Sequence, residues 1–139
     1  MGAGTGDLTA ADRELFEAAR RAAERAHAPY SRFLVGAALL TGTGRVVTAC
    51  NVENASYGLS VCAERSAVFA AVAAEGPAMR VAAVAVHATA RTVPPCGACR
   101  QVIAEFGPEA RVIFPLGGEP VAMSLAELLP VRFELDPGE

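Results

Sequence analysis

Apolar residues recur at helical spacing near the start of the chain, at Leu15, Ala18, Ala19, Ala22 and Ala26, with charged residues between them. That rhythm predicts an amphipathic helix over Glu14–Ala26, opened by Thr9 as N-cap with Asp12 three residues on and ended by Pro29. The period then changes. Leu34–Leu40 is a short apolar run, Thr41-Gly42-Thr43-Gly44 turns the chain, and Arg45–Val52 follows as a second extended run, which predicts a hairpin. Val61–Ala74 is Ala-rich and stopped by Gly76-Pro77, as expected of a helix buried on much of its surface. Val81–Val86 contains no polar residue and reads as a strand covered on both faces. Thr92–Pro95 forms a loop, Cys99–Phe106 a helix ended by Gly107-Pro108, and Arg111–Phe114 another strand. Gly117-Gly118 turns into Val121–Met123, and Ser124 opens a last short helix with Glu127 completing a capping box.

The predicted order is therefore helix, hairpin, helix, strand, helix, strand, strand, helix. Helices alternating with strands imply crossovers and parallel pairing, whereas the leading hairpin is antiparallel, so the sheet is mixed. The expected fold class is α/β, a three-layer α/β/α sandwich. With no internal repeat, linker or low-complexity tail, residues 1–139 read as a single domain in which residues 1–7 are a disordered lead-in.

Composition narrows the chemistry. Of 139 residues 53% are apolar and 19% charged, more apolar and less charged than one monomer's core requires. All 12 basic residues are Arg, which excludes a Walker-type phosphate loop and any lysine nucleophile. The two histidines, His27 and His87, are too few for a His-rich metal site, and HExxH is absent. A net charge of −3 with scattered Arg argues against nucleic acid as a partner, and no segment reaches the ~20 apolar residues a membrane helix needs. Four cysteines without a secretory signal pattern read as reduced thiols or metal ligands in a cytoplasmic protein.

Three of those cysteines fall in a pattern. Cys96-Gly97-Ala98-Cys99 follows Pro94-Pro95 and precedes a helix; taken alone, CxxC is ambiguous among redox dithiol, structural zinc and catalytic zinc. Cys62-Ala63-Glu64-Arg65 places a third cysteine at the start of another interior helix. Two helix N-termini aimed at one point favour thiolates, and three thiolates with one Zn²⁺ leave a charge of −1 for the helix ends and Arg65 to offset. Three protein ligands also leave a fourth tetrahedral position for water. Glu64, two residues after Cys62, is close enough to shuttle that water's protons without ligating the metal. Cys or His, Glu two residues on, then P-C-x-x-C is the signature of zinc nucleoside and nucleobase deaminases. Cys50 reads as a small buried hydrophobe, although a closed four-cysteine structural site including it is the competing arrangement. Arg65 as a partner of a surface carboxylate has equal weight at this point.

Between the hairpin and the zinc helix lies Asn51-Val52-Glu53-Asn54-Ala55-Ser56-Tyr57-Gly58. In an extended chain Asn51 and Glu53 point to one side, an amide beside a carboxylate, which suits a sugar hydroxyl; a turn in which both satisfy local backbone groups is the alternative. From Leu8 to Phe133 the chain resembles the small, homotetrameric cytidine deaminases. The resemblance is carried by Pro29-Tyr30-Ser31-Arg32-Phe33, Val35-Gly36-Ala37-Ala38, Cys50 to Gly58, Cys62-Ala63-Glu64-Arg65, Pro95-Cys96-Gly97-Ala98-Cys99-Arg100-Gln101 and Leu128-Leu129-Pro130. It implies a five-stranded mixed sheet, one zinc per subunit held by Cys62, Cys96 and Cys99, and Glu64 as the catalytic acid and base. It further implies that Asn51 and Glu53 hold the ribose, that Phe33 packs on the pyrimidine, and that Ala63 with Glu64 reads the base edge. Ala55, Tyr57 and Phe133 would complete a neighbouring subunit's pocket, and Arg65 would moderate the thiolate charge. Leu34 where the family often has Pro, Ala49 where it has Gly, and His27 where it has Tyr imply altered packing at the pocket wall rather than altered chemistry.

The activity so implied is hydrolytic deamination of cytidine and 2′-deoxycytidine, in pyrimidine salvage. Two competitors stand beside it: a zinc deaminase for another substrate, such as an aminonucleoside antibiotic or a base within RNA, and a non-enzymatic zinc-stapled interaction domain. A homotetramer with shared active sites would give the surplus apolar surface a place, with the Ala-rich stretch Ala67–Ala74 packed against other subunits.

Overall fold

The computed structural model describes residues Leu8–Gly138, so the expected lead-in at 1–7 lies outside the described residues. Helix α1 (Ala10–Ala23) is followed by the hairpin β1 (Gly36–Thr41) and β2 (Val46–Cys50), a single 3-10 turn (Tyr57–Leu59), and α2 (Ala63–Glu75). Then come β3 (Val81–His87), α3 (Gly97–Phe106), β4 (Arg111–Leu116), β5 (Glu119–Ser124) and α4 (Leu125–Leu128). The strands form one sheet in the order β2-β1-β3-β4-β5. All neighbours are antiparallel except β3 and β4, which the crossover through α3 makes parallel. The sandwich expected from the pattern is the one observed.

Period-two alternation sorts the strand residues between two cores. Ala37, Leu39, Val84, Val86, Val112 and Phe114 face α2 and α3, whose Ala67, Val68, Ala71 and Ile103 complete that core. Ala38, Ala83, Ala85, Ile113 and Ala122 face α1 through Leu15 and Ala19. Full burial of a Val, Leu, Ile or Phe side chain contributes roughly 1.5–3 kcal/mol, so the α2–α3 face carries most of the hydrophobic stabilisation. The alanines on the other face let α1 approach closely. A Cβ on Gly36 would collide with the backbone oxygen of Ala19 and the backbone of Ala23, so the strand and the helix touch main chain to main chain there.

Both predicted caps are present. Thr9 and Asp12 exchange hydrogen bonds at the start of α1, and Ser124 and Glu127 do so at α4. Asp12 does more than cap: its carboxylate is buried and accepts from Arg111 on β4 at 2.6 Å, which ties α1 to the sheet.

Several boundaries differ from expectation for a common reason. Helix α1 stops at Ala23 rather than Ala26 because His27 leaves to pair with the far chain: its N–H donates to Asn51 and its carbonyl accepts from Glu53. Strand β2 stops at Cys50 rather than Val52, and α2 begins at Ala63 rather than Val61, because Val52 and Val61 exchange both backbone hydrogen bonds. Tertiary pairing outweighs local propensity at each point. Strand β1 begins at Gly36 rather than Leu34, because the Val35 N–H donates to the Asn51 side chain instead of joining a ladder. Helix α2 is also less enclosed than predicted. Ala63, Ala67, Val68 and Ala71 are buried, but Phe69, Ala70, Ala73 and Ala74 face outward.

Candidate active site

Cys62 is the N-cap of α2 and Cys96 the N-cap of α3, each with extended backbone (φ −71° and −69°). Their side chains make no capping bond, so both thiols are free to face a shared point while the helix N-termini aim positive dipole ends at it. Cys99, in the first turn of α3, closes the group from below and is fully buried. The sulfurs of Cys62 and Cys96 are 4.0 Å apart, those of Cys96 and Cys99 3.5 Å, and all three lie within 4.8 Å of one another. Tetrahedral zinc with Zn–S bonds of about 2.3 Å requires sulfurs about 3.8 Å apart, and the two separations of 4.0 and 3.5 Å lie close to that spacing. Cys50 is outside the group; it is half-buried beside α1, where it lines a groove with Ala18 and Ala22.

The Cys62 thiol is held down at about 5, first by the bond from Cys99 and then by Arg65, whose Nη2 donates to its sulfur at 3.3 Å. Cys99 is pushed up by the same bond and by burial. Arg65 thus contacts the Cys62 sulfur, and among the described residues it pairs with no carboxylate. Among the described residues its Nε is buried without a hydrogen-bond partner.

Glu64 occupies the second position of α2 and is only 4% exposed. Burial pushes its carboxyl up to about 7, and the charge on Cys62 adds to the effect. A carboxyl poised near neutrality can both take and give a proton at working pH. Glu64 lines a cavity of about 220 Å³ together with Phe33, Val35, Asn51, Cys62, Ala63, Val93, Pro94 and Cys96. Val35, Val93 and Pro94 were not among the site residues expected from the sequence. Their signal is weak, since an apolar residue in a loop does not disclose which wall it forms.

Three clustered thiols, of which Cys99 is buried and Cys96 exposed, stand at a cavity beside a buried carboxyl, an arrangement suited to a hydrolytic metal centre. The family described as "cytidine and deoxycytidylate deaminase zinc-binding region" matches residues 9–115. The chain belongs to that family. It is 50% identical over 121 residues to the cytidine deaminase of Halalkalibacterium halodurans, covering 86% of this chain and 91% of that one. The crystal structure of cytidine deaminase from Burkholderia pseudomallei superposes with a TM-score of 0.80 at 48% identity, covering 91% of this chain and all of the other (100%). A more distant relative, blasticidin-S deaminase of Bacillus cereus, is 32% identical over 106 residues, 71% of this chain and 76% of its own. The family's region is a zinc-binding one, and the three-cysteine group is able to bind that metal.

The remaining sequence-predicted residues divide. Phe33, Asn51 and Ala63 share the cavity of this deaminase with Glu64. Glu53 and Tyr57 instead line a neighbouring cavity of about 280 Å³ with Tyr30, Ser31 and Ser60. Ala55 is exposed, and Phe133 is exposed on the C-terminal segment beside α3. Asn51 and Glu53 both engage local groups. The Asn51 amide donates to the Phe33 carbonyl at 2.9 Å and accepts from Val35 N–H at 2.9 Å. Glu53 accepts from the Tyr30 and Ser31 N–H groups at 3.0 and 3.1 Å and from the Ser31 hydroxyl, which lowers its carboxyl pKa. Arg32, between them, sits in the left-handed region at φ 61°, and that turn presents Phe33 to the cavity. Among the described residues no helix is long and apolar enough to cross a membrane.

Proposed function

We propose that this chain catalyses the zinc-dependent hydrolytic deamination of cytidine and 2′-deoxycytidine to uridine and 2′-deoxyuridine, with release of ammonia. One observation carries the reading: the buried Glu64 carboxyl opens onto the same cavity as the Cys62 and Cys96 thiols. Cys62, Cys96 and Cys99 hold one zinc per subunit, which when bound supplies Lewis acidity at the position the three ligands leave open. Glu64 takes a proton from the attacking water and delivers it to N3 of the pyrimidine. The water's second proton goes by the same carboxylate to the leaving amino group. Its oxygen replaces nitrogen at C4, so cytidine and water balance uridine and ammonia. Arg65 offsets the thiolate charge, Phe33 packs on the base, and Ala63 with Glu64 reads its edge.

Asn51 and Glu53 retain capacity for a ribose despite their local bonds. Asn51 has one N–H and one lone pair unspent. Glu53 Oε1 already accepts twice, whereas Oε2 accepts once and keeps a lone pair for a sugar hydroxyl. Ala55, Tyr57 and Phe133 complete the pocket of a neighbouring subunit in a homotetramer. Support comes from outward-facing Phe69, Val131, Phe133 and Leu135, large apolar side chains that a monomer leaves in water. Four unpaired thiols support residence in the reducing cytoplasm.

The deciding experiment combines zinc stoichiometry with the absorbance change from cytidine to uridine across a nucleoside panel. One zinc per chain and turnover of cytidine and deoxycytidine are expected. Turnover confined to blasticidin S, the second reading favoured by the Bacillus cereus relative, would overturn the substrate assignment. Elution at monomer size at micromolar concentration would overturn the tetramer.

A further inference from the structure

We infer that Arg100 is a positioning residue for the metal ligand Cys96, and that it makes the C-terminal segment part of the zinc site's scaffold. The inference rests on the zinc reading above. Pro94 and Pro95 lack N–H groups, so the loop entering Cys96 cannot tie itself down through its own donors. The last backbone bond before the ligand is from Val93 N–H to the Pro115 carbonyl. Among the described residues, the hydrogen bond that holds the next two residues comes from Arg100, whose Nε donates to the Pro95 carbonyl at 2.7 Å. Side chains of a helix lean toward its N-terminus, so Arg100 lies naturally over the first turn of α3 and reaches back across it. The Pro95–Cys96 peptide is planar, so an anchor on the Pro95 oxygen also sets the nitrogen and Cα of Cys96.

The same guanidinium makes a second bond. Its Nη1 donates to the Leu128 carbonyl at 2.7 Å, at the end of α4. One planar fork thus joins the ligand loop to a segment 33 residues later, and a lysine cannot span both carbonyls in that way. The next residue, Gln101, binds the same C-terminal segment without touching the ligand loop. Its amide donates to the Phe133 carbonyl at 2.9 Å and accepts from the Phe133 N–H at 3.3 Å. Arg100 and Gln101 therefore separate two roles: Arg100 holds Cys96, and Gln101 holds only the tail.

The test compares wild type, Arg100→Gln, Arg100→Lys and Gln101→Ala as full-length, zinc-loaded proteins. Zinc release to a chromogenic chelator is timed, and melting is measured with and without the metal. Arg100→Gln is expected to release zinc about 10–100-fold faster, the range for loss of a group that orients a ligand. The melting gain on adding zinc should shrink with it. Arg100→Lys should fall between Arg100→Gln and wild type, and Gln101→Ala should match wild type in release. Wild-type release in Arg100→Gln, or in Arg100→Lys where the first variant does not fold, overturns the inference. Equal acceleration in Gln101→Ala overturns it too, since the cause would then be a loosened tail. A wild-type chain that holds no zinc overturns both this inference and the proposed function.

Discussion

Two carboxylates are buried among the described residues, one on each side of the sheet, and their surroundings drive them in opposite directions. Asp12, at the start of α1, is held below the usual carboxylate range by the Arg111 guanidinium and by its own capping bonds. Glu64, at the start of α2, has no ion pair among the described residues, and burial carries it up to about 7. Both occupy the first turn of a helix, where the dipole favours a negative charge. What separates them is the ion pair: Asp12 faces the Arg111 guanidinium, whereas Glu64 is raised first by burial, with the charge on Cys62 adding less. The paired carboxylate is fixed in one charge state and joins elements; the unpaired one is free to change state, as the proposed acid and base must be.

The largest effect expected from this contrast lies in turnover. Glu64→Ala should lower kcat by roughly 10²–10⁴-fold or more, the contribution of a positioned acid and base. It should leave zinc stoichiometry and melting temperature close to wild type. Near-normal turnover in the cytidine assay would make Glu64 another structural carboxylate and erase the comparison. Asp12→Asn should do the converse. It keeps the cap but removes the charge facing Arg111, at a cost of about 1–3 kcal/mol, moderated because Arg111 is partly exposed and can rehydrate. Urea denaturation should register that loss while kcat and KM for cytidine hold.

Of these two carboxylates, only one role was legible in the sequence. Glu64 stands in a local pattern with Cys62 and the CxxC, and the chemistry of the residue types alone suggests its task. Asp12 is legible as a capping partner of Thr9, but its bond to Arg111 joins residues 99 positions apart and has no local signature. The same division runs through the rest of the molecule. The mixed sheet and its leading antiparallel hairpin follow from alternation and connectivity, whereas the strand order and the ends of α1, β2 and α2, set by the meeting of His27, Val52 and Val61, are announced by no single segment. Cys62 and Cys96 at helix starts were readable from flanking residues. Val93 and Pro94 as cavity walls, and Arg100 as a bridge to Leu128, emerge only when the chain is folded.

A smaller effect follows from pH. Asp12 has a folded pKa below its unfolded value, so its stabilisation is complete above the unfolded carboxylate range, near 4. It is lost as pH falls through the depressed folded value. Glu17, Glu53 and Glu75 are shifted the same way, so the wild-type acid slope is not that of Asp12 alone. The informative quantity is the difference between wild type and Asp12→Asn. It should be constant from pH 7 to about 5 and shrink below about 4 in thermal melts. A difference that grows on acidification would mean that Asp12 is not the carboxylate Arg111 stabilises.

The smallest effect separates a thiol that belongs to the metal from one that does not. Cys50 ends β2 and sits half-buried against α1, outside the group formed by Cys62, Cys96 and Cys99. Replacing its sulfur with a hydroxyl changes volume little and leaves one face in water, so Cys50→Ser should cost under about 1 kcal/mol. It should retain one zinc per chain and wild-type turnover. Cys62→Ser removes a ligand at the N-cap of α2 and should lose both. A closed four-cysteine site predicts instead that the two variants lose metal together, because a fourth thiolate would fill the position that hydrolysis requires to be open. Metal content of the purified Cys50→Ser protein decides between them, and a chain short of zinc would turn Glu64 back into a buried carboxylate without a reaction to serve.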